Sequence, residues 1–379
     1  MNNAYHPLYQ TIYDDIIKQI KNNQLEPGDK LPTEFEMIDH YGVSRITVSR
    51  ALQELARNGF IIRYRSKGSF VSEQKPKTSS YTTNSFPTSN NLAFVMPVSN
   101  GTIPQMLFAM QHAAQKKNYV LSIFNSEKSL KKERDILNQL ADMPLAGIIC
   151  YPIESYDNVS YYSPFIIRGT PLVAMDKTIP YKEVPCIKSD NYGCAYKMAQ
   201  YLISKGHTRI AFYSHNLKDE NEKRRFEGYL NALINNGISP CADYFLEIDK
   251  DSLPQNMMAE NNSEIHNIIH EQLKKLMSLE NRPTALFCAF DLIAAYVQQQ
   301  AAKLGISIPE DLSVVGFDNL PLCEHLQIPL TSVAQDFKAM GNKAIDLISR
   351  QISGEPVEPS YIFDGNVIER NSVKTLITE

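Results

Sequence analysis

Hydrogen-bond donors are concentrated in the segment SRITVSR at residues 44–50. Val48, Leu52 and Leu55 recur at helical spacing and predict one buried face for a helix that begins after Ser44. The remaining basic and hydroxyl residues are less committed to the core; they are Arg45, Thr47, Ser49 and Arg50. Guanidinium and hydroxyl groups on such a helix suit the base edges and phosphates of a DNA groove. The segment therefore predicts a DNA-reading helix.

A two-stranded wing is predicted directly after this helix. Gly59 ends the helix, and the runs IIRYR and SFVS have the pattern of two paired strands. The tip between them, Ser66 to Gly68, is small and basic enough to approach the phosphate backbone. Thr33 is expected to cap an earlier helix that begins at Glu34. A lone Ser-Arg dipeptide would indicate only a solvated helix surface, but here cap, turn, helix and wing follow in order.

Residues 28–71, GDKLPTEFEMIDHYGVSRITVSRALQELARNGFIIRYRSKGSFV, resemble the GntR family of winged-helix repressors. The resemblance implies that Arg45 reads a guanine edge and that Gly68 lets the wing enter the minor groove. It also implies that Thr47 and Ser49 bind phosphates. The full set of DNA-binding residues expected is Lys30, Thr33, Ser44, Arg45, Thr47, Ser49, Arg50, Lys67 and Gly68.

The chain departs from this family at two positions. Many members carry arginine at the positions of Phe35 and Ser49, and in this chain Arg50 lies beside Ser49. The operator sequence therefore does not follow from the family.

Four stretches in the rest of the chain resemble the effector domain of the lactose- and galactose-repressor family, whose fold is shared with periplasmic sugar-binding proteins. They are SDNYGCAYKMAQYLISKGHTRIAFYSH (189–215), RRFEGYLNALINNGI (224–238), RPTALFCAFDLIAAYVQQQAAKLGISIPEDLSVVGFDNLPL (282–322) and PLTSVAQDFKAMGNKAIDLI (329–348). Residues at the family's binding positions are implied to contact a ligand; these are Asp176, Arg225, Phe290, Asp291, Asp318 and Gln335. Arginine and carboxylate groups can grip a polyhydroxyl ligand through paired hydrogen bonds in a closed cleft.

Several of these positions have a second interpretation. The family usually has asparagine at the position of Phe290, so an amide is replaced by an aromatic face. That face can stack on a sugar ring, or it can indicate a ligand other than a simple sugar. Asp291 suits either a helix cap or a ligand contact. Arg225 could form a plain surface salt bridge, and Asp318 could serve a turn at the end of its strand.

Alternating strands and helices after the first 91 residues predict the elements that position these side chains. Strand-like runs such as NLAFVMPV, AGIICYP, RIAFYSH, ALFCAF and SVVGF are separated by amphipathic stretches. Repeated βα units call for parallel sheets covered by helices on both faces, and this many strands favour two lobes over one. The predicted fold class is α/β: a winged helix-turn-helix followed by a two-lobed, periplasmic-binding-protein-like domain.

A segment rich in serine, threonine, asparagine and proline, residues 76–91, predicts a linker. The organisation predicted is a DNA-binding domain over residues 1–75, this linker, and a ligand-binding and dimerisation domain over residues 92–379. The charge distribution agrees with this organisation. Residues 1–80 carry 11 Lys and Arg against 9 Asp and Glu, so the region predicted to bind DNA is slightly basic, whereas the whole chain has a formal net charge of −4.

Other chemistries find little support. Six cysteines without a CxxC pair are interpreted as reduced core thiols. His266 and His270 are four residues apart, a spacing that can hold a metal, but no neighbouring glutamate completes a zinc-protease pattern. The charged run KKERD at 131–135 is interpreted as the solvated start of a helix. No P-loop, GxGxxG or nucleophile elbow occurs, so no catalytic residue, cofactor or metal is predicted. Without a membrane span or signal peptide, the chain is expected in the cytoplasm.

The expected partners are double-stranded operator DNA, a small-molecule effector and a second copy of the chain. A homodimer is expected because a single winged helix touches too little DNA for tight specific binding. The apolar stripe Met106, Leu107, Met110 and Ala114 is the predicted dimer contact in the first lobe. The alternative is that this stripe packs only on its own sheet.

The predicted function is a repressor of carbohydrate-utilisation genes whose DNA binding is controlled by a sugar, with arabinose or a related sugar as the first expectation. The same architecture could respond instead to a non-sugar ligand such as a nucleoside, or the body could be enzyme-like and bind a ligand without catalysis. An enzyme is a further alternative, since GntR domains also occur fused to aminotransferase-like bodies, but that would require a lysine-centred pyridoxal site. A secreted sugar-binding protein would lack the DNA-binding domain and carry a signal peptide.

Overall fold

The computed structural model describes residues 8–22, 24–57, 60–64, 68–72, 89–97, 101–248 and 263–376. The chain divides into two compact units, Met1–Phe86 and Pro87–Glu379. Most of the predicted linker lies outside the described residues, and its last residue, Asn91, already begins a strand. No helix in the described part of the chain is long and apolar enough to cross a bilayer.

The first unit contains helices packed beside a two-stranded hairpin. Its elements are α1 (Leu8–Lys21), α2 (Glu34–Tyr41), α3 (Arg45–Arg57), β1 (Ile61–Tyr64) and β2 (Gly68–Val71). The strands are antiparallel, with Ile61 opposite Val71. Apolar residues at helical spacing face inward, and Ile12, Val48 and Leu55 are completely buried. The predicted order of helix, turn, helix and wing is confirmed.

Local signals set the ends of α2. Thr33 caps its first turn in a reciprocal capping box with Glu36, as the sequence predicted. Gly42 ends the helix in the left-handed conformation, at a φ of 62° that glycine adopts without strain.

The second unit contains two lobes, each built on a six-stranded sheet. The first sheet is parallel, in the order β13-β7-β6-β5-β3-β4. Its strands are β3 (Asn91–Met96), β4 (Val120–Asn125), β5 (Gly147–Cys150), β6 (Leu172–Met175), β7 (Cys186–Ser189) and β13 (Ser360–Phe363). Its helices are α4 (Ile103–Lys116), α5 (Leu130–Ala141), α6 (Ser163–Arg168) and α11 (Phe337–Ile352).

The second sheet has the order β14-β12-β11-β10-β8-β9 and is parallel except for β14, which pairs antiparallel with β12. Its strands are β8 (Ile210–Ser214), β9 (Phe245–Glu247), β10 (Ala285–Cys288), β11 (Ser313–Asp318), β12 (Thr331–Gln335) and β14 (Gly365–Ile368). Its helices are α7 (Asn191–Ser204), α8 (Glu220–Asn235), α9 (Ser263–Met277) and α10 (Asp291–Leu304). The predicted α/β class with two lobes is confirmed.

Three short segments carry the chain between the lobes, and each contains one aspartate. Asp190 joins β7 to α7, Asp336 joins β12 to α11, and Asp364 joins β13 to β14. Asp190 and Asp336 cap the helices that follow them. Because of these crossings, each lobe is built from separate stretches of sequence.

The apolar stripe of α4 packs inside its own lobe. Met106, Met110 and Ala114 are at most 1% exposed and belong to the same core as the buried face of α11. Gly341 lets the two helices approach closely, since a Cβ there would lie 2.6 Å from the carbonyl oxygen of Met106. The prediction that this stripe forms the dimer contact is therefore wrong, and the alternative of packing within the lobe is correct.

Two further predictions have different outcomes. Five of the six cysteines are buried and Cys241 is half-buried, all as free thiols, which confirms the interpretation as core thiols. The solvated start predicted for the helix at 131–135 is wrong at Glu133, which is completely buried. His266 contacts the amide of Gln300 at 2.8 Å and the ring of Tyr296.

Candidate DNA interface and ligand cleft

Arg45 is the first residue of α3 and leaves 72% of its side chain exposed. Its Nε donates to Glu34 at 3.3 Å, and the same carboxylate accepts from Arg63 of β1 at 2.7 Å. Glu34 therefore ties the start of α3 to the wing. The guanidinium of Arg45 lies 5.9 Å from the exposed ring of Phe35, which occupies the position of a family arginine.

The hydroxyl residues at the start of α3 have local roles. Ser44 Oγ accepts from the backbone N–H of Thr47 at 3.3 Å and contacts its hydroxyl at 2.9 Å, as an N-cap residue does. Ser49 is half-buried. The side chain of Arg50 and all of Lys67 lie outside what the structure describes.

The base of the wing lies beside the segment before α2. Gly68 has a φ of +109°, and a Cβ there would lie 3.1 Å from Lys30 Cε. Lys30 forms an isolated backbone bridge with Phe70 of the wing. Lys30 therefore holds the hairpin beside the segment that precedes α2, and Gly68 allows this close approach.

A cleft of about 370 Å³ opens between the two lobes of the second unit. Five of the six ligand residues expected from the sequence line it: Asp176, Arg225, Phe290, Asp318 and Gln335. Both lobes contribute, because Asp176 follows β6 in the first lobe while Asp318 ends β11 in the second. The carboxyl ends of parallel strands are where α/β folds place their ligand sites.

The two aspartates hold unusual backbone conformations. Asp176 has a φ of 66° and Asp318 a φ of 106°, in a region that non-glycine residues rarely adopt. Such strain is typically maintained at functional sites by the surrounding structure. Here it brings a carboxylate from each lobe to the cleft.

Arg225 is held by a buried network within the second lobe. Its guanidinium donates to Asn191 Oδ1 at 2.8 Å, to the carbonyl oxygen of Ala289 at 2.6 Å and to Asp318 Oδ1 at 3.1 Å. The guanidinium carbon lies 3.8 Å from the ring centroid of Phe317 and 4.8 Å from that of Phe290. The surface salt bridge considered for Arg225 is therefore wrong, because only 5% of the side chain is exposed.

Asp291 does not line the cleft and does not cap its own helix. It is completely buried, and the residue at the cap position is Phe290, which makes no capping hydrogen bond. The carboxylate accepts from the backbone N–H of Leu320 at 2.7 Å and from Ser332 Oγ at 2.5 Å. Asp291 therefore joins β12 to the segment after β11, and both expectations for it were wrong.

Burial raises the pKa of the carboxyl groups around the cleft. It is the main cause for Asp318, whose pKa is about 6 although the charge of Arg225 lowers it, and for Asp176, whose pKa is also raised. Burial also acts on Asp219, but there Lys177 holds the pKa below its ordinary value. The ionised forms of Asp176 and Asp318 are thus poorly compensated by the protein.

Three consecutive residues at the start of α8, the cap residue Asp219 and the first two residues of the helix, contact the first lobe. Asp219 binds Lys177 at 3.0 Å, Glu220 binds Lys188 at 3.1 Å, and Asn221 donates to Asp176. We call these contacts the interlobe clasp. Since α8 also carries Arg225, the clasp links the ligand cleft to the relative position of the lobes.

Several cleft residues were missed by sequence reasoning. They are chiefly Tyr151, Lys177, His215, Asn221 and Glu222. Tyr151 and His215 each directly follow a buried strand, which is the signal that could have found them. Glu222 is completely buried and accepts from Ser214 Oγ at 2.6 Å and from the backbone N–H groups of His215 and Asn216.

Glu133 binds the segment around Ile153, which forms part of the cleft wall. Its carboxylate accepts from the backbone N–H of Ile153 at 3.0 Å and from the side-chain amide of Asn158 at 2.6 Å. Burial raises the pKa of Glu133, although both hydrogen bonds lower it. The segment it holds includes Ile153, whose carbonyl oxygen accepts from Lys177 at 2.6 Å.

Family models match both units of the chain. Residues 8–71 match the gntR family of bacterial regulatory proteins, and residues 199–373 match the periplasmic binding protein-like domain. The chain is therefore a DNA-binding transcriptional regulator with a gntR-type helix-turn-helix domain and a periplasmic-binding-protein-like domain. The relatives described next are named as transcriptional repressors and regulators.

Individual relatives match all or part of the chain at modest identity. The chain is 26% identical over 376 residues to the arabinose metabolism transcriptional repressor of Geobacillus stearothermophilus, covering 98% of each chain. It is 28% identical over 275 residues to the HTH-type transcriptional repressor PurR of Vibrio atlanticus, covering 72% of this chain and 77% of that one. A transcriptional regulator CelR–cellobiose complex shares the fold, with a TM-score of 0.67, 21% identity, and coverage of 87% of this chain and 91% of that chain.

Proposed function

We propose that the chain is a repressor of carbohydrate-utilisation genes whose operator binding is controlled by a sugar in the interlobe cleft. The observation that carries the proposal is the convergence of Asp176 and Arg225, from opposite lobes, on one cleft. A ligand that contacts both lobes stabilises their closed arrangement more than the open one. Only such differential affinity can transmit ligand binding to DNA binding.

The chemistry of the cleft suits a sugar. Carboxylates, an arginine and the amide of Gln335 provide directional hydrogen bonds, while Phe290 and Phe337 provide apolar surface. The full-length relative at 26% identity is named an arabinose metabolism repressor, which makes arabinose the first sugar to test. The structural relative contains cellobiose, so larger sugars belong in the same test.

A second candidate effector is a nucleoside, which combines a sugar with a flat base. Phe290 favours it, because an aromatic ring stands where the family has a hydroxyl-binding amide. Its ring lies 5.9 Å from that of His215, so two aromatic groups line one side of the cleft. A flat base could stack against that side.

On the DNA, we propose that Arg45 reads a base edge while Ser44, Thr47, Ser49 and the wing contact the backbone. We further propose that the chain acts as a homodimer on a palindromic operator, because two helix-turn-helix units double the contact area. The exposed position of Arg45 at the start of α3 supports the first part.

Operator fragments selected from random DNA by the full chain provide the test. Binding to these fragments is titrated against arabinose, ribose, glucose, cellobiose and adenosine at fixed salt concentration. We expect one sugar to reduce operator affinity at least about tenfold and to raise the melting temperature of the chain. A response to adenosine alone would replace the sugar with a nucleoside, and no response to any compound would contradict effector control by this cleft.

A further inference from the structure

Two carboxylates on opposite walls of the cleft each keep one oxygen without a protein donor. Asp176 receives the hydroxyl of Tyr151 at 2.5 Å and the amide of Asn221 on the same atom, Oδ2. Asp318 likewise receives both of its donors on one atom, Oδ1. Among the residues that the structure describes, none donates to Asp176 Oδ1 or Asp318 Oδ2.

Both residues have lost most of their access to water. Asp176 is 9% exposed and Asp318 is 6% exposed. Neither open oxygen is among the fully enclosed polar atoms that lack a partner in the described chain, so each can accept a hydrogen bond from a ligand, and such a bond is strong where little water competes. Burial raises the pKa of both carboxyl groups. The cleft therefore favours a ligand that offers hydrogen-bond donors to both lobes.

The buried cations of the cleft already have partners. Lys177 contacts Asp219 at 3.0 Å, Glu154 at 3.6 Å and the carbonyl oxygen of Ile153 at 2.6 Å. Arg225 is engaged by Asn191, Ala289 and Asp318, as described above. Lys128 also lines the cleft, but it is solvent-exposed. An anionic ligand would thus meet two open carboxylate oxygens and would have to compete for each buried cation.

We propose that the effector is rich in hydrogen-bond donors and carries no negative charge. It is a neutral sugar or an amino derivative of one, and the cleft rejects sugar phosphates and sugar acids. This inference rests on the proposed function, because it takes the interlobe cleft as the effector site. Unpaired like charges are an effective way to exclude a competing ligand, since rejection requires no loss of affinity for the correct one.

Matched compounds test the exclusion on the full chain. Arabinose, ribose, glucose and glucosamine are compared by calorimetry with ribose 5-phosphate, glucose 6-phosphate and gluconate. We expect a neutral or amino sugar to bind at least about tenfold more tightly than its phosphate or acid. Tighter binding of a phosphate or acid than of its parent sugar would overturn this inference and leave a sugar-responsive regulator in place. No binding by any compound would overturn the proposed function itself.

Two isosteric variants assign the exclusion to the carboxylates. Asp176→Asn and Asp318→Asn each remove one negative charge, so the preference for the parent sugar over its phosphate should fall at least about threefold. Asp346→Asn is the control, because Asp346 pairs with Lys343 on α11 and does not line the cleft. A preference unchanged in both cleft variants, with melting temperatures showing that they fold, would contradict the assignment.

Discussion

The DNA-binding unit and the ligand cleft place their arginines in opposite environments. Arg45 is 72% exposed, whereas Arg225 is 5% exposed. Water can replace Glu34 as the partner of Arg45, so this arginine can exchange a protein carboxylate for DNA at little cost. Arg225 has no such substitute, and each of its protein contacts must persist or be replaced by ligand. The exposed Arg45 can therefore change partners, whereas the buried Arg225 holds the residues around it in fixed positions.

The two sites also differ in how the sequence builds them. Three helices and a hairpin within 64 consecutive residues form the DNA-binding unit. The cleft instead draws Asp176, Arg225 and Gln335 from positions spread over 160 residues, which the crossings between the lobes bring together. Substitutions in the first unit should accordingly act locally, while those in the cleft should disturb several elements at once.

The largest expected effect is that of Arg225→Ala. Removing this side chain leaves Asn191 Oδ1 without its donor and Asp318 with Gln335 as its remaining donor, so effector affinity should fall by about 2–5 kcal/mol. Operator binding without effector should remain, and it should no longer respond to the effector. Arg224→Ala is the matched control, because the neighbouring Arg224 is 59% exposed. Equal effector responses in the parent and Arg225→Ala would remove Arg225 from the site.

Arg45→Ala should weaken binding to the selected operator by about 1–3 kcal/mol, because an arginine contact to a base edge is lost. Effector affinity should not change. Lys18→Ala serves as the control, since Lys18 is an exposed cation on α1. Gel-shift titrations against operator and random DNA at one salt concentration measure the outcome. An unchanged preference for operator over random DNA would show that Arg45 contacts only the backbone or no DNA at all.

Asp291 extends the comparison to a buried group outside the cleft. Burial, and then the charge of Asp318, raises its pKa from 3.8 to about 7. The folded state holds the proton of Asp291 more tightly than the unfolded state does. Protonation of Asp291 therefore stabilises the folded state fully below about pH 4, and this stabilisation is lost as the pH rises through about 7. Asp291→Asn should therefore lose less stability than the parent over this interval, by at most ~1.4 kcal/mol per pH unit. Urea unfolding between pH 4 and pH 8 measures it, and parallel curves would contradict a raised pKa.

The smallest effect is expected at the exposed part of the interlobe clasp. Lys188 and Glu220 are 23% and 51% exposed, so their coupling should be about 0.2–1 kcal/mol, as for other surface pairs. A double-mutant cycle with Lys188→Gln and Glu220→Gln, read out as effector affinity, isolates this coupling. A coupling above about 2 kcal/mol would mean that exposure does not separate weak from strong contacts here.

Most of the DNA-binding unit could be predicted from the sequence, because its signals are local. Thr33 and Gly42 set the ends of α2 through contacts within a few residues. The bridge that Glu34 makes to Arg45 and Arg63 could not be predicted, since its partners lie 11 and 29 residues away. Whether these residues contact DNA as expected stays a prediction.

In the body, residue types and family positions found five cleft residues, but local patterns failed where tertiary partners decide the role. Asp291 looks like a cap, yet its partners Leu320 and Ser332 come from later elements. Glu133 looked solvated in a charged run, although it shares a face with Leu137 and Leu140, and that spacing was a usable signal. Helical spacing likewise showed that Met106 is buried without showing that its partner is α11.

The crossings between the lobes also determine the order in which this protein can fold as it is synthesised. The core of the first lobe contains Leu92 and Phe94, near its start, together with Met340 and Ile348 of α11. The first sheet is completed only by β13, which pairs with β7. A ribosome must therefore make the second lobe as far as β12 before the first lobe can bury the apolar face of its sheet that α11 covers. During that interval the nascent first lobe exposes the apolar face that α11 later covers, and such a surface is prone to aggregation.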